Sequence, residues 1–146
     1  MTRHQPKPTR AFTLVEILIV VVILGILAAI VTPQFTYATE EAQKTSTVDQ
    51  LKKVRAAISV YYVRNANTLP DITAGDASWG PLIGTGDYMR EAPPNPYVGS
   101  PNGTVIAIGS SPDTVYQRNY GWLYNPLTGE LWAGGFDGSD NPLPKP

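Results

Sequence analysis

Glu16 is the first residue that asks for a chemical explanation. It interrupts the apolar run AFTLVEILIVVVILGILAAIV, where a charged side chain near the centre of a bilayer costs about 2.5–3.5 kcal/mol on insertion scales. Either this carboxylate lies near an aqueous interface and snorkels to water, or it has a partner that one chain does not contain. Other reactive groups are few. His4 is the only histidine and there is no cysteine, so the chain has no disulfide and no thiolate metal site. Neither a G-x-S-x-G elbow nor a phosphate-binding P-loop occurs, and the acids of residues 65–146 are scattered through loop-rich sequence. This inventory argues against an enzyme.

Two binding chemistries can be written from the remaining residues. FDGSDN at 136–141 offers Asp137, Asp140 and backbone oxygens to a hard cation such as Ca²⁺, which takes six to eight oxygen ligands. The plainer account of the same residues is an Asp/Gly turn in water, and the EF-hand spacing is absent. For nucleic acid, residues 65–146 supply only Arg90, Arg118 and Lys145 against eight acids. These three are far apart in sequence, and the excess negative charge repels phosphates. No nucleic-acid partner is expected.

The elements that must position Glu16 follow from charge and hydropathy. Residues 1–11 carry Arg3, Lys7 and Arg10 with no acid. From Ile17 to Thr39 there is no charged residue, a span of 23, and about 20 apolar residues cross a bilayer as a helix. A buried strand would have to be far longer than the ~10 residues strands reach. A basic start, an apolar run and an acidic remainder predict a single-pass membrane protein with a cytoplasmic N-terminus and an exported bulk. The apolar run is too long for a removable signal sequence, and no clear A-x-A site follows it.

The segment AFTLVEILIVVVILGILAAIVTPQF resembles the N-terminus of type IV pilins and of the related type II secretion pseudopilins. That resemblance implies that residues 1–11 are a leader. It also implies that a prepilin peptidase cuts between Ala11 and Phe12 and that Phe12 is then N-methylated. The family usually has Gly before the cut, where this chain has Ala11. Glu16 matches the family's glutamate five residues into the mature chain, and Pro33 matches a recurrent helix proline. His4 would leave with the leader. Major pseudopilins of this type often fix a C-terminal loop with calcium where other pilins use a disulfide, so Ca²⁺ is the one cofactor to test; otherwise no cofactor and no metal is expected.

Beyond the membrane, EEAQKTSTVDQLKKVRAAISVYYVR reads as an amphipathic helix. Val48, Leu51, Val54, Ile58 and Tyr61 form one apolar stripe at spacings of three and four, predicted to pack on the chain's own head. NANTLP ends the helix, since Asn tolerates a C-cap and Pro70 cannot continue it. Inside the helix lie Gly25 and Pro33. Proline lacks the N–H that the carbonyl of Ala29 would accept, so a kink and the weakest helical stretch are expected between them. Residues 65–146 hold 11 of the 14 prolines and 12 of the 13 glycines, a pattern of turns and short strands. The strand candidates are 104–108, 119–124 and 130–134, with NPLTG at 125–129 turning the last two into a hairpin.

The predicted fold is therefore α+β and pilin-like, a long N-terminal helix packed on a small antiparallel sheet in a loop-rich head. Its segments are a leader (1–11), a transmembrane and polymerisation helix (12–39), an amphipathic helix (40–64) and the sheet-bearing head (65–146). The function implied is that of a filament subunit, with Ala11 and Phe12 as processing residues and Glu16, Gly25 and Pro33 as assembly residues. Its partners would be further copies of itself, the peptidase, an assembly platform and the membrane. A secretion pseudopilus is the first reading. A surface pilus, or an anchored binding module that never polymerises, is the alternative.

Overall fold

The computed structural model describes residues 12–75, 79–84 and 86–146; the expected leader, with Ala11, lies outside them. The chain divides into two compact units, Met1–Ala38 and Thr39–Pro146. One helix, α1 (Leu14–Arg64), is 51 residues long and continues through both Gly25 and Pro33. In the first unit it is long and apolar enough to cross a membrane, and the side chains from Phe12 to Val31 are all exposed. Nothing among the described residues covers them.

The second unit has a core of its own. Leu51, Val54 and Ile58 of α1 are buried, with Val48 and Tyr61 packed beside them, so the predicted stripe is the packing face. Thr47 and Ala57 join that face as buried residues. The helix ends as its asparagines suggested, although Ala66 takes the left-handed position (φ 54°) together with Asn67 (φ 61°). The Asn67 N–H then reaches back to the Tyr62 carbonyl at 2.9 Å, a bond that satisfies an otherwise orphaned helix-end acceptor.

Against this face lies a three-stranded sheet of β1 (Ile106–Ile108), β2 (Trp122–Tyr124) and β3 (Leu131–Ala133), in the order β1-β2-β3. A short helix, α2 (Pro81–Gly84), brings buried Leu82 to the same core. β2 and β3 are the expected antiparallel hairpin. In its turn Asn125 Oδ1 accepts the Leu127 N–H at 3.0 Å, and Gly129 supplies φ +77°. The expectation of an all-antiparallel sheet is corrected by β1, which pairs with β2 in parallel. The reason is the length of the 109–121 connection. A parallel pair needs a crossover of about a dozen residues, and this segment is long enough to carry the chain back to the end of the sheet where it started. Gly121 opens β2 because a Cβ there would collide with the Gly103 carbonyl.

The aromatics of the strands pack inward. Trp122 and Tyr124 are fully buried and Trp132 nearly so. Each finds a partner for its polar tip where it needs one: Trp122 Nε1 donates to the Pro93 carbonyl at 2.8 Å and the Tyr124 hydroxyl to the Pro70 carbonyl at 3.2 Å. Trp79 meets Trp122 edge-on at 5.9 Å. These rings are core.

Candidate assembly site

Glu16 opens the first turn of α1, and the structure gives it a partner that the sequence reading missed. Its Oε2 accepts both the Thr13 backbone N–H and the Thr13 hydroxyl, each at 2.9 Å, while the Thr13 hydroxyl oxygen accepts the Glu16 N–H at 3.3 Å. This is a reciprocal capping box. Thr13 stands just before the helix and Glu16 three residues later, so two of the four orphaned N–H groups of a helix start are satisfied. The signal was present as T-x-x-E in AFTLVE. A capping box needs an oxygen, which a Gln also supplies, so it does not by itself call for a charge.

Around this turn the surface is apolar and uncovered. Phe12 is 81% exposed and Leu14 83%. A Cβ added to Gly25 would meet nothing within 4 Å, so no contact among the described residues requires a glycine there. Phe12 and Glu16 are brought to one helix start. Gly25 and Pro33 lie farther along α1.

The candidate cation loop has a different use. Asp137 folds it: its Oδ1 accepts the N–H groups of Ser139 and Asn141, both at 2.9 Å, and its Oδ2 accepts from the Asn141 side chain. These bonds, led by that from the Asn141 backbone, hold the Asp137 carboxyl below the usual carboxylate range. Asp140 is paired with Arg55 at 2.6 and 2.9 Å. Among the described residues no cluster of three or more acids or imidazoles could hold a metal.

The basic residues are less scattered than their sequence positions suggested. Arg118 and Lys145 line one cavity of about 280 Å³ with Tyr97 and Tyr116; Arg90 is not part of it. The Lys145 ammonium stands 4.1 Å over the Tyr97 ring and 3.1 Å from Gln43 Oε1, and its pKa is lowered chiefly by burial. Its charge is thus engaged with the protein's own aromatic and amide groups.

Residues 6–32 match the family model described as the prokaryotic N-terminal methylation motif. The chain is 43% identical over 61 residues to a type II secretion system core protein G of Pseudomonas aeruginosa, a match covering 42% of this chain and 43% of that protein. It is 31% identical over 130 residues to a type IV major pilin protein PilE of Neisseria gonorrhoeae, covering 89% of this chain and 70% of that one. A core protein G of Escherichia coli is 29% identical over 103 residues, 60% of this chain and 66% of the relative. The chain spans about half the length of several of the curated relatives it matches. No solved structure gives a significant match.

Proposed function

The chain belongs to the type IV pilin-like family, which holds pilins and type II secretion pseudopilins, and on that premise we propose that it is a structural subunit of a helical filament. The observation that carries the proposal is the division of labour along α1. Its second half buries one face on a core within the same unit, while its first half is apolar, exposed and carries one carboxylate. Such a surface is stable in a bilayer before assembly and against other copies of itself afterwards. The chemistry is mechanical. The sequence carries neither a P-loop nor a G-x-S-x-G elbow, and on this reading the work of extraction falls to separate assembly machinery.

The sequence of events follows from the same residues. The chain is inserted in the cytoplasmic membrane with its head exported. A prepilin peptidase cuts after Ala11, and methylation follows at the new Phe12 amine. That amine is a cation created beside an anion. The Phe12 amine of one copy pairs with Glu16 of the next, neutralising both in a low-dielectric helix bundle and setting the axial register between neighbours. The Thr13 bonds keep the Glu16 carboxylate turned toward the helix start, where a neighbour's amine can reach it. Gly25 lets a second helix approach closely, and Pro33 frees a backbone acceptor where helices repack.

A secretion pseudopilus is the reading favoured by the core protein G relatives. A surface pilus is favoured by one specific observation, the pilin match over 89% of this chain. Glu16→Gln tests the filament mechanism, because it keeps the capping oxygen and removes the charge. Membrane-inserted subunits beginning at Phe12 by intact mass, with no filaments by electron microscopy, are expected. Normal filaments from that variant would overturn the inter-subunit pair. Filaments purified from the native host and identified by their protein, with export measured in their absence, separate pseudopilus from pilus.

A further inference from the structure

The C-terminal loop is where the family resemblance implies calcium, and the donor set there does not suit it. Both Asp140 oxygens already receive the Arg55 guanidinium, Nη1 to Oδ2 at 2.6 Å and Nη2 to Oδ1 at 2.9 Å. The remaining edge of the same guanidinium donates from Nε to the Leu131 carbonyl at 3.0 Å. The Asp137 oxygens are taken by donors of their own loop. A divalent ion would have to displace the Arg55 cation from the Asp140 oxygens and compete with the loop's own neutral N–H donors for those of Asp137.

We propose that Arg55 is a built-in cation that closes the C-terminal loop in place of a bound metal. One side chain ties three elements: it starts from α1, caps the edge strand β3 at Leu131, and clamps the loop at Asp140. The bidentate fork suits this task, since two parallel N–H···O bonds fix direction as well as charge. The loop is already pinched at its base by the Phe136–Pro142 bridge and by the Leu143 N–H on the Gly135 carbonyl at 2.8 Å. What remains to be fixed is its tip, where Asp140 takes the left-handed conformation at φ 61°. The clamp also occupies an outward-facing carbonyl of β3, an edge group that would otherwise be open to another strand.

The test uses the full chain in detergent. A metal that bound only the folded state would raise the melting temperature with its concentration. The wild type is expected to melt at the same temperature, by near-ultraviolet circular dichroism, in EDTA and in millimolar CaCl₂. Asp140→Asn and Arg55→Met are expected to lower that temperature by at least ~4 °C and to open 136–143 to proteolysis in either buffer. Arg55→Lys, which keeps the charge and loses the fork, should fall between them and the wild type. If Arg55→Met does not fold, Asp140→Asn and the wild-type calcium titration decide. A wild-type melting temperature that climbs with calcium, or an Asp140→Asn protein that melts and resists protease as the wild type does, would overturn the proposal.

Discussion

Asn95 is the residue on which the second unit turns. It is 1% exposed, yet every polar atom of its side chain is used. Its Oδ1 accepts the Thr47 hydroxyl at 3.1 Å and the N–H groups of Tyr97 and Val98 at 2.9 and 3.1 Å. Its Nδ2 donates to the Gly121 and Gly134 carbonyls at 2.8 and 3.0 Å. One amide therefore links α1, the Pro-rich segment before the sheet, and the strand ends on either side of the hairpin. Removing it orphans several buried groups at once, each costing about 1–3 kcal/mol. Asn95→Ala should lose more than ~3 kcal/mol in urea unfolding, and Thr47→Val distinctly less, because Thr47 contributes one hydroxyl to that centre. Equal losses would mean that the cost lies in the Thr47 bond alone. Nothing in PPNPY marks this asparagine as buried. Its role depends on carbonyls supplied by residues 26 and 39 positions away, which composition and spacing do not bring together. Glu16 is the opposite case: the T-x-x-E pattern in AFTLVE is local and could have been read, although water and another chain were the partners considered for it.

At the scale of elements, legibility follows the range of the interaction. The α1 stripe is set by helical periodicity, so Leu51, Val54 and Ile58 could be read directly, and the structure buries all three. The β2–β3 hairpin was equally readable, since its turn chemistry is contained in NPLTG. β1 was placed as a strand, but its parallel sense was not foreseen. Strand direction depends on the path of the whole 109–121 segment, which carries no periodic signal. The Arg55 clamp was missed for the same reason, as 85 positions separate it from Asp140. The stripe gives the sharpest test. Leu51 is fully buried while its neighbour Lys52 is exposed. Leu51→Ala should destabilise the second unit by about 2–5 kcal/mol, and Lys52→Ala by less than ~0.5 kcal/mol. A Leu51→Ala protein with wild-type stability would show that the helix face is not the core.

Across the whole molecule, the two units answer to different solvents. The first exposes Phe12 to Val31 with nothing among the described residues to cover them, and an apolar surface of that kind marks a site of contact with lipid or with other chains. The second, Thr39–Pro146, encloses Trp79, Tyr97, Trp122, Tyr124 and Phe136 at 2% exposure or less. Its buried polar side chains have their hydrogen bonds, with none unsatisfied among the described residues. A unit with a closed core and satisfied polar groups needs no membrane to hold its shape. Residues 39–146 expressed alone should therefore be soluble and monomeric, and should unfold in one cooperative transition followed by tryptophan fluorescence. Adding back 12–38 should change its association and leave that transition where it was, because the added surface lies outside the core. A fragment that is molten, or that needs the apolar half to fold, would show that the core is shared between the units and that assembly cannot be separated from folding.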